Sequence, residues 1–242
     1  MDDPATPRIP PEVRSGDPAE VVEWLAADLE PRAREALAER DRFAIAIPGG
    51  SVATTCFPRL AAVPLDWSRA EIFWVDERAV PPDHADSNHR LARALWLEPA
   101  GVPAGRIHRM PVEAVDLDRA AREYAETLTA VVGDPPRLDY VLLGVGPDGH
   151  VASLFPGHPA LAREGPVLAI EDAPAPLPRR LSLSLPVLTR ARRLAIVAFG
   201  AAKAPVVREA LEMPDSPLPV ARVARESRRC LFILDRAAAG RG

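Results

Sequence analysis

The chain has 242 residues, of which 48% are hydrophobic and 26% charged, and its formal net charge is −4. This size suits one large α/β domain or two small ones. The negative balance argues against nucleic acid and acidic membranes as partners. The first residues lack the basic and apolar regions of a secretory signal, and no apolar run reaches the roughly 18 residues that span a bilayer. With Cys56 and Cys230 as the only cysteines, neither a metal quartet nor a disulfide framework is expected, which favours the cytoplasm.

The amino-terminal part is predicted to be a tail followed by a helix. Residues 1–17 contain several prolines and no apolar period, so a flexible tail is expected there. Apolar residues recur at helical spacing from Val21 onward, and Pro31 is expected to kink or end that helix. We therefore assign residues 18–242 to a single α/β domain.

Short apolar runs alternate with helical patterns along the rest of the chain. The predicted strands are residues 43–47, 72–75, 140–143, 167–170, 181–185, 194–199 and 231–234, the last one closing the sheet. One predicted helix begins after residue 50, and three others cover residues 88–97, 117–131 and 201–212. This order predicts an open, mostly parallel sheet with helices on both faces. Ligands of such sheets bind beyond the carboxyl ends of the strands, so the loops beginning at residues 48, 76, 144 and 200 should carry the chemistry.

Two of these loops offer groups suited to an anion. Gly49, Gly50 and Ser51 connect a strand to a helix, where free backbone amides and the positive helix end attract a phosphate. Arg78 closes an Asp-Glu-Arg run after the second strand and could bind phosphate or carboxylate oxygens with its planar fork. The structural alternatives are an ordinary tight turn for the glycines and a solvated ion pair for the arginine.

Two further cations complete the candidate anion site. Lys203 is the only lysine of the chain and lies where a strand passes into a helix. A cation there opposes the helix dipole, and a bound phosphate would remove the conflict. Arg180 precedes a predicted strand and is a candidate oxyanion ligand, with a surface charge as the alternative.

The loop from Gly144 to His150 contains Gly-x-Gly-x-x-Gly, which superficially suggests a dinucleotide site. That fingerprint requires a helix to begin at once, and Pro156 and Pro159 leave little room for one. The loop instead contains Asp148 and His150, two residues apart. A carboxylate at this spacing can orient the imidazole as a general base. The other histidines show no ligand spacing, so we expect no metal and no cofactor.

These loops together resemble the 6-phosphogluconolactonase family. The matching stretches follow one another in order and cover residues 47–51, 73–81, 86–88, 144–157, 180–186 and 200–204. The resemblance implies a Rossmann-like α/β fold. It also implies hydrolysis of 6-phospho-D-glucono-1,5-lactone to 6-phosphogluconate in the oxidative pentose phosphate pathway. Pro48 and Pro147 depart from residues common in the family, and neither replaces a side chain assigned to catalysis.

The nearest alternative is a glucosamine-6-phosphate deaminase/isomerase, which shares the fold and similar loops. The deaminases have an acidic residue five positions after the loop histidine, where this chain has Phe155. A benzyl side chain cannot transfer protons, so the resemblance favours the lactonase. A non-catalytic sugar-phosphate-binding protein is a further alternative, which should lack an intact base.

The expected mechanism uses one base and one water. Gly49, Gly50, Ser51, Arg78 and Lys203 hold the phosphate of the lactone, with Arg180 as an additional candidate. His150, oriented by Asp148 or a backbone carbonyl, activates the water that attacks the lactone carbonyl. A small phosphosugar lactone is the only partner expected, and the protein is expected to be a monomer or a weak homo-oligomer.

Overall fold

The structure is a computed structural model that describes residues 10–241. Its strands are β1 Glu12–Gly16, β2 Phe43–Ile47, β3 Ala70–Trp74, β4 Asp76–Arg78, β5 Tyr140–Leu143, β6 Val167–Ile170, β7 Arg180–Leu183, β8 Arg193–Ala198 and β9 Cys230–Asp235. Its α-helices are α1 Pro18–Arg40, α2 Gly50–Ala61, α3 Asn88–Ala92, α4 Leu117–Val132, α5 Leu185–Arg190, α6 Ala204–Glu212 and α7 Pro219–Glu226. No helix within the described residues is long and apolar enough to cross a membrane.

The main sheet has six parallel strands in the order β1-β9-β8-β5-β2-β3. Every residue of β2, β3, β5, β8 and β9 is buried. Side chains alternate between the two faces of a strand, so complete burial means that both faces of these strands are covered. The predicted parallel α/β fold is therefore confirmed.

A second sheet of three antiparallel strands, in the order β4-β7-β6, lies beside the main one. The sequence analysis placed the strands at 167–170 and 181–185 in the main sheet and a loop at Asp76, and these placements were wrong. Residues 76–78 pair with residues 180–182, and Leu185 begins α5 instead of ending a strand. Strand direction and sheet membership depend on long-range pairing, which short apolar runs do not encode.

The flexible-tail prediction for residues 1–17 is wrong in its last part, since Glu12–Gly16 forms β1 and pairs in parallel with Leu231–Asp235. The last strand therefore does not close the sheet, because β1 lies outside it. Residues 1–9 lie outside the described part. Three of the five β1 residues are exposed, as expected for an edge strand, so the segment has no apolar run that would reveal it.

Pro31 lies inside α1, so the helix does not end there as the sequence allowed. Proline removes the amide that would bond to the carbonyl four residues earlier. Pro31 and Ala27 are both exposed, so water can bind that carbonyl instead. The helix predicted at residues 88–97 is present as α3, followed directly by a π-helical turn from Arg93 to Leu97. The helices α5 and α7 were not predicted.

Candidate active site

The loops after β2, β5 and β8 meet at one pocket beyond the carboxyl end of the main sheet, with β4 and β7 at its side. Its volume is about 230 Å³. The polar and glycine residues that line it are Gly49, Gly50, Ser51, Asp76, Arg78, Asn88, Gly144, Gly146, His150, Arg180 and Lys203. Every residue that the sequence analysis assigned to the site is in this lining except Asp148, which contacts His150.

The loop from Gly49 to Ser51 leads from β2 into α2, with Gly49 at the N-cap. A Cβ atom on Gly49 would lie 1.7 Å from Oδ1 of Asn88, so only glycine allows this loop and Asn88 to approach so closely. The first turn of α2 contains no acidic residue. Its amides have no partner within the helix, which leaves a positive helix end at the pocket for an anion.

Three cationic side chains line the pocket, and two of them are held by carbonyls. Arg78 donates from Nη1 to the carbonyl of Asp86 over 2.8 Å. Arg180 is buried and donates from Nε and Nη2 to the carbonyls of residues 177 and 176, over 3.0 and 2.7 Å. The buried Asp76 carboxylate lies 4.0 Å from Nη1 of Arg180. The alternative that Arg180 is a surface charge is therefore excluded.

Lys203 ends a short 3₁₀ turn and occupies the N-cap position of α6. Partial burial lowers the pKa of its ammonium group, and the charge of Asp148 acts in the opposite direction. The positive end of α6 also disfavours a cation at this position. A phosphate in the pocket would stabilise the protonated ammonium.

His150 and Asp148 form a close pair, with Nδ1 of the imidazole 2.6 Å from Oδ1 of the carboxylate. The same oxygen accepts the backbone amide of His150 over 3.2 Å. Burial raises the pKa of Asp148, but the charge of His150 and its hydrogen bonds outweigh burial and hold this pKa below its ordinary value. With Nδ1 engaged by the carboxylate, Nε2 remains available for proton transfer. A Cβ atom on Gly146 would lie 2.0 Å from Nδ1 of His150 and 2.5 Å from Oδ1 of Asp148, so this position leaves room only for glycine.

Phe155 is buried beside this pair. Its ring centroid lies 4.6 Å from that of His150, and the guanidinium carbon of Arg180 lies 5.8 Å from its centre. The position that is acidic in the deaminases is thus an apolar support for the imidazole and for one of the cations.

Asp76, Asn88 and Ser153 were not assigned to the site from the sequence, and all three are buried around it. Ser153 donates from Oγ to Oδ2 of Asp76 over 2.6 Å, and Asn88 donates from Nδ2 to the Asp76 carbonyl over 2.9 Å. The acidic run after β3 indicated a site near Asp76. The contacts of Asn88 with Asp76 and Gly49 become visible only in the folded chain. Between residues 10 and 241, no group of His, Cys, Asp or Glu side chains is arranged to hold a metal ion.

This basic pocket, with an imidazole in its wall, lies at the edge of a parallel sheet where α/β proteins bind small ligands. Residues 16–232 match the family described as glucosamine-6-phosphate isomerases/6-phosphogluconolactonase, and the chain belongs to this family. The resemblance inferred from the loops is therefore confirmed.

Individual relatives agree with this assignment. The chain is 39% identical over 231 residues to a 6-phosphogluconolactonase of Rattus norvegicus, covering 92% of this chain and 90% of the relative. It is also 39% identical over 223 residues to a rice protein named probable 6-phosphogluconolactonase 3, chloroplastic (Oryza sativa subsp. indica), covering 84% of this chain and 67% of the relative. The solved 6-phosphogluconolactonase of Trypanosoma brucei superimposes with a TM-score of 0.83 at 28% identity, covering 95% of this chain and 98% of that one.

Proposed function

We propose that this protein is a hydrolase that opens 6-phospho-D-glucono-1,5-lactone to 6-phosphogluconate, a step of the oxidative pentose phosphate pathway. The names of the similar relatives support this activity. The observation that carries the proposal is the His150–Asp148 pair at the wall of a pocket lined by three cations. Lactone hydrolysis needs one base, a water molecule from solvent and an anchor for the phosphate, and the residues around this pocket offer the base and the anchor.

In the proposed mechanism, Nε2 of His150 removes a proton from a water molecule. The resulting hydroxide attacks the lactone carbonyl carbon and gives a tetrahedral oxyanion. The carbon–oxygen bond of the ring then breaks, and His150 returns the proton to the departing ring oxygen. Asp148 holds the imidazole and stabilises its protonated form between these steps. The fixed guanidinium of Arg180 is our candidate for the donor to the oxyanion.

The phosphate is proposed to bind between the amides of Gly49–Ser51 and the side chains of Arg78 and Lys203. Arg78 supports this role because its side chain lines the pocket and is oriented by the carbonyl of Asp86. A guanidinium held in this way can bind phosphate oxygens with its remaining donors.

The deaminase alternative is disfavoured by Phe155, whose ring packs against His150 where proton transfer would need an acid. A non-catalytic binding protein is disfavoured by the intact His150–Asp148 pair. The deaminase reaction requires further acid–base groups for ring opening, which an apolar side chain does not supply.

The proposal is tested by generating 6-phosphogluconolactone from glucose 6-phosphate and measuring acid release with and without the protein. We expect a large acceleration, a much lower kcat/KM for unphosphorylated gluconolactone, and no ammonia release from glucosamine 6-phosphate. A site built for charged oxygens leaves its cations unpaired when the phosphate is missing. Equal kcat/KM for the two lactones would refute the anion site, and ammonia release would favour the deaminase.

We propose that the protein acts in the cytoplasm as a monomer or weak homo-oligomer. The free state of Cys56 and Cys230 agrees with a reducing compartment. Light scattering across a concentration series measures the oligomeric state, and a stable oligomer at all concentrations would contradict this part of the proposal.

A further inference from the structure

Glu77 is a buried carboxylate that lies next to the pocket without lining it. Its Oε1 accepts the amides of Arg78 and Asn88, each over 2.9 Å. Its Oε2 accepts the amide of His89 over 2.8 Å and Oγ of Ser87 over 3.1 Å. We call these four hydrogen bonds the Glu77 clasp. An ionised carboxylate, which only accepts, can satisfy all four donors at once. Burial raises the pKa of Glu77 above its ordinary value, and the hydrogen bonds from the three backbone amides act in the opposite direction.

The clasp joins the two ends of one loop. Residues 79–86 leave β4 after Arg78 and return at Ser87 and Asn88, and a single oxygen of Glu77 accepts an amide from each end. Closing a loop reduces the conformations available to the residues within it. The clasp also satisfies the first amides of α3, which have no acceptors within their own helix.

Arg78 is held by this arrangement at two points. Its amide bonds to Glu77, and its guanidinium bonds to the carbonyl of Asp86, the residue directly before Ser87. The carbonyl that orients the guanidinium therefore belongs to the same clasped segment. The guanidinium of Arg78, whose side chain lines the pocket, is thereby kept at a defined position.

We propose that Glu77 is a positioning residue that sets the phosphate affinity of the pocket by holding Arg78 in its binding orientation. This inference rests on the proposed function, in which Arg78 contacts the phosphate of the lactone. Glu77 itself does not touch the substrate. Its influence should therefore appear in substrate affinity more than in turnover, and only while Arg78 is present.

The test is a double-mutant cycle of Glu77→Gln and Arg78→Ala. Glutamine has the same shape but turns an NH₂ group toward donors, so the clasp is weakened. We expect Glu77→Gln to raise KM about tenfold while kcat changes less than about threefold. The double variant should have the KM of Arg78→Ala alone, because the two changes act through one group. An unchanged KM in Glu77→Gln, or independent multiplication of the two effects, would overturn the proposal.

Asp139→Asn is the matched control. Asp139 is also a buried carboxylate that accepts a backbone amide, that of Ala44 over 2.9 Å, and it lies at the opposite end of β5 from the pocket. Its substitution should lower stability and leave KM unchanged. If Glu77→Gln fails to fold, Ser87→Ala takes the place of Glu77→Gln in the double-mutant cycle, because it removes one donor of the clasp. We then expect Ser87→Ala to raise KM, and an unchanged KM would overturn the proposal.

A measurement without turnover separates this inference from the proposed function. Absence of lactone hydrolysis in the wild type would reject the function alone. The clasp would then be tested by the Kd of inorganic phosphate, measured by calorimetry. We expect about tenfold weaker binding in Glu77→Gln than in the wild type, and equal Kd values would overturn the role of Glu77.

Discussion

At the scale of single residues, two side chains hold the imidazole of His150. Asp148 engages Nδ1 and Phe155 packs against the ring, while Gly146 leaves room for the His150–Asp148 pair. These contacts leave Nε2 as the free nitrogen at the pocket. A base whose orientation is already set loses little entropy when it accepts a proton from water.

We expect His150→Gln to lower kcat by about 10²–10⁴, the usual contribution of a general base. The thermal midpoint should change little, since the ring is partly exposed and lies on a loop. Steady-state kinetics with 6-phosphogluconolactone measure the effect. His158→Gln is the control, because His158 also pairs with an aspartate, Asp172, but lies outside the pocket lining. Near-wild-type turnover in folded His150→Gln would exclude His150 as the base.

Lys203→Met keeps most of the aliphatic stem and removes the charge. We expect KM to rise roughly 10- to 100-fold, the equivalent of a charge-assisted hydrogen bond, with a smaller fall in kcat. Inorganic phosphate should raise the thermal midpoint of the wild type more than that of the variant. Arg119→Met is the control, because it removes an exposed cation from the first turn of α4, away from the pocket. It should change neither KM nor the rise in thermal midpoint that phosphate causes. If phosphate raised the thermal midpoints of the wild type and of Lys203→Met equally, Lys203 would not bind phosphate.

At the scale of elements, a buried ion pair connects three strands to α1. Arg193 on β8 donates to both oxygens of Asp28 on α1, over 2.7 and 3.1 Å, and to Glu12 on β1 over 2.8 Å. Tyr140 on β5 donates to Asp28 over 2.9 Å. Asp28 and Arg193 are both buried. Through Glu12, this group links the edge strand β1 to β8 and α1.

Arg193→Met should lower the free energy of unfolding by about 3 kcal/mol, because it leaves Asp28 buried with fewer partners. The value lies at the low end of the usual range because Arg32 remains 3.2 Å from Asp28. Urea denaturation measures this change, and KM should not move. A loss below 1 kcal/mol would contradict the importance of the buried pair.

Glu12→Gln tests the exposed branch of the same group and should cost less than about 1 kcal/mol. The hydrogen bond and charge of Arg193 lower the pKa of Glu12 below its ordinary value of 4.5. A carboxyl group whose pKa is lower in the folded protein than in the unfolded one stabilises the fold at pH values above its unfolded pKa. This stabilisation is lost as the pH falls. The stability difference between wild type and Glu12→Gln should therefore shrink as pH falls below about 4.5. A difference that grows on acidification would contradict the sign of this shift.

At the scale of the whole molecule, both thiols are enclosed in the core. Burial raises the pKa of Cys56 and of Cys230 to about 12. Only the thiolate reacts readily, so neither cysteine should react with a thiol reagent in the native protein near neutral pH. In denaturing urea both should react. Rapid reaction of either thiol without denaturant would show that the core opens far more often than this packing implies.

Local patterns in the chain predicted most elements and placed most of the proposed site residues around one pocket. The apolar runs at β2, β5 and β9 and the period of α4 predicted those elements because burial selects the residue types directly. We selected the glycine loop, Arg78, Asp148, His150 and Lys203 because ligands bind beyond the carboxyl ends of parallel strands. All of them line the pocket or contact a residue that does.

Contacts between residues distant in the chain determined the rest. Pairings without a local signal produce the edge strand β1 and the antiparallel sheet that contains β4. The same is true of the hydrogen bond from the amide of Val220 on α7 to the carbonyl of Gly149. The same holds for the Glu77 clasp, in which four donors converge on one carboxylate only after β4 and α3 are placed together. Residue type and spacing reveal which groups are available, whereas their orientation depends on packing across the whole chain.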